Sequence, residues 1–221
     1  MKLLNKLALI LTLSISVITN ANAGIIKLST SSLKADIELG VLSLDESFES
    51  FYNYSKYSAH TGYEQKNKLV MFFAEYQDNV ALFAISDQYR DGNVWNKNKG
   101  SATFTIDNLA QSGEIIFKDD EADDWTENGV NWAWSAKRTD GLIFQLDNAN
   151  SFNLDIAITN KKGLWGNYQF LSFDKNNNAT QHNFKEWNTK GQFNVSAIPE
   201  PTTLAVFALA LFGLAAARRK A

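Results

Sequence analysis

Phe152-Asn153-Leu154-Asp155-Ile156-Ala157-Ile158-Thr159 decides the fold. In an extended chain Phe152, Leu154, Ile156 and Ile158 point one way, and Asn153, Asp155, Ala157 and Thr159 the other. A period of two is the pleat of a strand with one buried face and one wet face. The rhythm recurs on both sides of this stretch. Ala102 to Asp107 places Phe104 and Ile106 on one face, and Val130 to Lys137 does the same with Val130, Trp132 and Trp134. Leu69 to Tyr76 and Val80 to Ser86 flank Gln77-Asp78-Asn79, a hairpin-sized loop. Gly24 to Thr30, Gly113 to Lys118, Leu164 to Phe173 and Gln192 to Ser196 read as further strands. So does Leu142 to Asp147, after a turn at Thr139-Asp140-Gly141. Phe48 to Tyr63 is crowded with aromatics and serines and suits a short helix or an irregular packed segment. Asp174 to Asn178 is a polar loop, and Thr189 to Ala197 begins a linker. Short strands at about ten-residue spacing predict an all-β fold, an antiparallel, jelly-roll-like β-sandwich. No Gly-x-Gly-x-x-Gly opens a helix, and there is neither a phosphate-binding loop nor a βαβ rhythm, which argues against an α/β enzyme.

The two ends are of another kind. Lys2 and Lys6 precede an apolar run from Leu7 to Val17, and Ala21-Asn22-Ala23 is a small-x-small cleavage site. This is an export signal over residues 1–23, with the mature chain starting at Gly24. At the other end Pro199-Glu200-Pro201 is stiff and extended, since each proline fixes φ and removes a donor. Thr202 to Ala217 carries no charge and is rich in Leu, Ala and Phe, so it predicts a helix at 202–217. Its length of about 24 Å is short for a bilayer, and the stems of Arg218, Arg219 and Lys220 extend it by snorkelling. Those cations stay on the cytoplasmic side, which places the body outside.

The segment from Ile198 to Ala221 resembles the PEP-CTERM sorting signal of exported bacterial proteins. All three parts are present in order: Pro199-Glu200-Pro201, the apolar span, and Arg218-Arg219-Lys220. The resemblance implies an exosortase as partner, after the secretion machinery, with cleavage near Pro-Glu-Pro. It also implies a transient inner-membrane anchor, then a cell-surface or extracellular location, in Gram-negative bacteria that make exopolysaccharide and biofilm. The expected organisation is therefore a signal peptide at 1–23, one β-sandwich domain with a short linker at 24–197, and a sorting signal at 198–221.

Composition bounds the body. Five of the 21 basic residues and one of the 24 acidic residues lie in the end segments, which leaves the body at a net charge of −7. An acidic body argues against nucleic acid as a partner. There is no cysteine, so disulfides, thiolate metal sites and thiol nucleophiles are excluded.

Within the body, Asp119-Asp120-Glu121-Ala122-Asp123-Asp124-Trp125 crowds five carboxylates into six residues. A hard cation would relieve their repulsion, and calcium, held by Asp119, Asp120, Asp123 and Asp124, is the candidate. The alternative is a solvated acidic loop. Trp125, Trp132 and Trp134 are candidates for stacking on sugar rings, although the Trp132–Trp134 face serves equally as core. His60 and His182 stand without a Gly-x-Ser-x-Gly elbow or a His-Glu-x-x-His pair. The body reads as a non-enzymatic envelope or matrix protein with a structural or adhesive role. A carbohydrate-binding module, calcium-assisted, and a secreted hydrolase are the alternatives. Exposed tryptophans would favour the first alternative, and buried carboxylates converging in a cleft the second.

Overall fold

The computed structural model describes residues 25–87, 100–107, 109–120, 123–134, 138–162 and 167–198. The signal cleavage residues Ala21, Ala23 and Gly24 lie outside these, as do Pro199, Glu200, Pro201, Arg218, Arg219, Lys220 and the expected helix at 202–217. The described chain is all-β. In order, it runs β1 (Ile26–Ser29), β2 (Ile37–Leu39), β3 (Leu42–Ser43), α1 (Phe48–Tyr52), β4 (Lys68–Tyr76), β5 (Asn79–Asp87), β6 (Gly100–Asp107) and α2 (Leu109–Ser112). It continues with β7 (Gly113–Lys118), β8 (Asp124–Thr126), β9 (Gly129–Trp134), β10 (Thr139–Leu146), β11 (Asn153–Lys162), β12 (Asn167–Phe173), β13 (Ala179–Lys185), α3 (Glu186–Thr189) and β14 (Gln192–Ala197). Among the described residues no helix is long and apolar enough to cross a membrane.

The strands form two sheets. One has the order β2-β1-β14-β11-β6-β9-β8, and the other β13-β12-β4-β5-β10-β7 with β3 beside β4. One apolar core draws side chains from both, including Phe104, Trp132 and Ile156 from the first and Phe73, Leu82 and Phe144 from the second. The pairing is not antiparallel throughout. β12 and β3 both run parallel to β4. Each of these strands arrives from the opposite sheet, so no hairpin dictates its direction. At the β2-to-β3 crossing, Gly40 lies so close to β12 that a Cβ there would sit 1.9 Å from the Phe173 carbonyl oxygen.

The sheets differ in what covers them. β6 alternates buried and half-buried positions, because the outer face of its sheet meets water. β4 is buried at six consecutive positions, Leu69 to Ala74. Its outer face lies under α1 and the segment after it, where Phe48, Phe51 and Tyr52 pack on Phe83, and Phe51 and Tyr63 on Phe72. Phe72 and Phe83 stack face to face across β4 and β5 at 4.9 Å. Ser47 caps α1 by accepting from the Ser50 amide at 3.3 Å, and Asn53, in the left-handed region, ends it. The β4–β5 turn consists of Gln77 and Asp78, both at positive φ, and Asn79 already pairs with Tyr76.

Two local expectations are corrected, and one strand was not foreseen. Thr139-Asp140-Gly141 is not a turn but the start of β10, paired with Asp87, Ser86 and Ile85. Thr189 to Ala197 is not linker. Thr189 is fully buried, and β14 lies inside its sheet between β1 and β11. β13 escapes a reading by periodicity, since an edge strand exposed on most positions has no apolar face to show.

Candidate functional site

Register fixes two ends of the molecule. Ile26 on β1 pairs with Ala197 on β14, and the Ile198 amide donates to the Ile25 carbonyl at 2.8 Å. Both termini of the sandwich therefore leave at one end. Strand directions carry the end of β9, the start of β10, the end of β5 and the link from β7 to β8 to the opposite, distal end.

The acidic run is that β7–β8 link. Asp119 is 5% exposed, and its Oδ2 accepts from the Tyr52 hydroxyl at 2.7 Å. Burial pushes the Asp119 carboxyl up to about 7, against the pull of hydrogen bonds from Tyr52 and Tyr54. The Asp123 amide donates to the Asp120 carbonyl at 3.3 Å, which folds the link back on itself. The Asp123 carboxyl meets that of Asp140, a residue only 2% exposed. Burial first, and then the charges of Asp123 and Asp119, raise Asp140 well above the usual carboxylate range. Asp124 belongs to another neighbourhood. It is exposed and accepts from Asn131 Nδ2 at 2.8 Å. The structure thus brings Asp119, Asp120 and Asp123 together, turns Asp124 away, and adds Asp140. Sequence reasoning missed Asp140 because Thr-Asp-Gly is common turn chemistry. The available signal was a lone carboxylate just ahead of the apolar run Leu142-Ile143-Phe144.

A cavity of about 60 Å³ opens beside these groups, lined by Asp119, Asp120, Asp140, Tyr54, Tyr57 and Arg138 among others. Tyr57 is 61% exposed and sits at positive φ with Lys56, at the tip of a small turn closed by Ser55 and Ser58. The Arg138 guanidinium lies 4.2 Å from the centre of its ring. Thr139 anchors the turn, accepting from the Ala59 amide at 2.6 Å.

The tryptophan candidates separate. Trp132 (1% exposed) and Trp134 (3% exposed) face the core, Trp132 against Phe104 and Trp134 against Gly100, so neither offers a face to a sugar ring. Trp125 is half-buried, donates from Nε1 to the Asp120 carbonyl at 3.0 Å, and lies under the Lys118 ammonium at 4.8 Å. Among the described residues no group of three acidic or histidine side chains is placed to hold a metal by itself.

β14 hands the chain directly to the tail. Residues 197–220 match a family model described as PEP-CTERM protein-sorting motif. The tail is a PEP-CTERM sorting signal. A PEP-CTERM signal marks an exported protein, held transiently at the membrane and processed by an exosortase. No curated protein and no solved structure matches the chain. The PEP-CTERM match begins at Ala197, the last residue of β14, so little chain separates the sandwich from the signal.

Proposed function

We propose that this chain is an envelope or extracellular-matrix protein with a structural or adhesive role in biofilm or exopolysaccharide, and that it is not an enzyme. One observation carries the reading: the sorting signal starts where β14 ends, beside β1, so the tail end is the attached end and the carboxylate-and-tyrosine end is presented outward. Before processing, the uncharged apolar segment 202–217 holds the body at the inner membrane. Replacing Pro199, Glu200 and Pro201 with alanine tests this in a host that makes an exosortase. The triple variant is expected to stay unprocessed and membrane-bound. Wild-type mass and surface yield for that variant would contradict the reading.

A carbohydrate-binding role is the second reading. It draws on Tyr54 and Tyr57, the exposed rings at the distal cavity, rather than on the tryptophans. Stacking on sugars needs an aromatic face in water, and Tyr57 provides one. A glycan-array screen of wild type against Tyr57→Ala separates the two readings, because a purely structural protein gives no glycan signal for the substitution to remove. The hydrolase reading draws on the buried Asp119 and Asp140. Their cavity of about 60 Å³ is small beside the roughly 300–1,000 Å³ of small-molecule sites, which weighs against it.

A further inference from the structure

Among the described residues, Ser86 Oγ, Asp123 Oδ2 and Asp140 Oδ1 are buried near the distal end with no hydrogen-bond partner, as is Trp134 Nε1 beside them. Ser86 and Asp140 are register partners on β5 and β10, so their side chains stand next to each other on one face. Asp123 reaches the same place from the β7–β8 link and touches Asp140. A carboxylate oxygen cannot donate, so two buried carboxyls in contact need a proton, a cation or the hydrogens of a water between them.

We propose that Asp123, Asp140 and Ser86 form a binding site for a divalent cation of calcium's chemistry, at the end of the sandwich remote from the sorting tail. All three donors are oxygens, the set that hard cations take. The adjoining cavity of about 60 Å³ has room for about two waters at roughly 30 Å³ each, which complete the shell. Asp119, Asp120 and Asp140 line that cavity against one cation, Arg138, so its carboxyls outnumber its positive charge. Two carboxylates, a hydroxyl and water make a weak site, with a Kd of about 10⁻⁴–10⁻³ M, as in extracellular calcium modules. The bound ion ties the β7–β8 link to β10 and β5. The proposal does not depend on how the tail is processed.

The test uses the full chain purified in detergent. Terbium is the first probe, because Trp134 lines the same cavity and can sensitise its emission. We expect sensitised emission that millimolar calcium displaces and magnesium displaces poorly. The melting temperature should rise in millimolar calcium and return on adding chelator. Asp140→Asn and Asp123→Asn should each abolish both responses, whereas Asp124→Asn should keep them. If Asp140→Asn does not fold, Ser86→Ala is expected to weaken terbium binding several-fold. A wild type that melts alike in calcium and in sodium chloride of equal ionic strength, with no terbium emission, overturns the proposal. So does a full ion response in Asp123→Asn or in Ser86→Ala. A higher melting temperature in Asp140→Asn, with the wild type indifferent to calcium, would show that the pair shares a proton instead.

Discussion

Tyr52 and Asp119 meet where the aromatic cover of one sheet reaches the distal end, and the burial of that carboxyl makes stability depend on pH. The Asp119 carboxyl titrates at about 7 when folded, against 3.8 ordinarily, so between those values the native chain holds a proton that the unfolded chain has lost. Stability is therefore greatest below about pH 4 as far as this group is concerned, and falls as pH rises through 7, by up to about 1.4 kcal/mol per pH unit for each such proton. Asp123 and Asp140 act with the same sign, while Tyr54, Asp120 and Arg138 line the same cavity. Melting curves in chelator from pH 4 to pH 9 should fall steadily, and a flat profile would rule this out. Tyr52→Phe removes the donor that favours ionised Asp119, so it should cost about 1–3 kcal/mol above pH 8 and clearly less near pH 4.5. Equal losses at both pH values would separate Tyr52 from the titration. Gly100 gives a second prediction at this scale. A Cβ there would lie 2.2 Å from the Trp134 ring, so Gly100→Ala should destabilise by about 1–3 kcal/mol, read by urea denaturation.

Among the elements, α1 covers the outer face of β4 and β5 with few residues. Phe48 is buried against Phe83 and Tyr76, and Phe48→Ala should cost about 3–5 kcal/mol and open the 44–66 segment to proteases. Ser47→Ala, which removes only the cap, should cost about 1 kcal/mol. If Phe48→Ala unfolds at the wild-type denaturant midpoint, α1 does not hold the cover in place. How far the elements could be read from sequence follows from what covers them. β6 and β11 declare themselves by alternation, because one face of their sheet meets water. β4 and β5 show as apolar runs, and the run itself records that both faces are covered, yet nothing in it says by what. The cover comes from a segment some 20 residues away whose aromatics obey no simple period. β13 stays hidden, since Thr180, Gln181, His182 and Asn183 present neither an apolar face nor a turn signal. The acidic link is visible as a charge run, but its partner Asp140 lies on another strand, and only the sheet brings the two together.

For the molecule as a whole, the sandwich should be independent of its sorting signal. The last described bond to the body is made by the Ile198 amide, so a chain of residues 24–198 should melt within about a degree of one that keeps the tail. Loss of a cooperative transition in the shorter chain would show that the tail contributes to the fold. The place of β14 also sets an order of events. An exported chain emerges N-terminus first, yet β14, the last of the described strands, sits inside its sheet with β1 on one side and β11 on the other. Until residue 197 is through, β1 and β2 have no route to the rest of that sheet, and the core between the layers stays open along β11. The sorting signal begins at that same residue. Closure of the sandwich and arrival of the tail in the membrane therefore coincide: a molecule that has presented its address is one that has just become able to finish folding, and a chain stalled before residue 192 should remain open to proteases throughout.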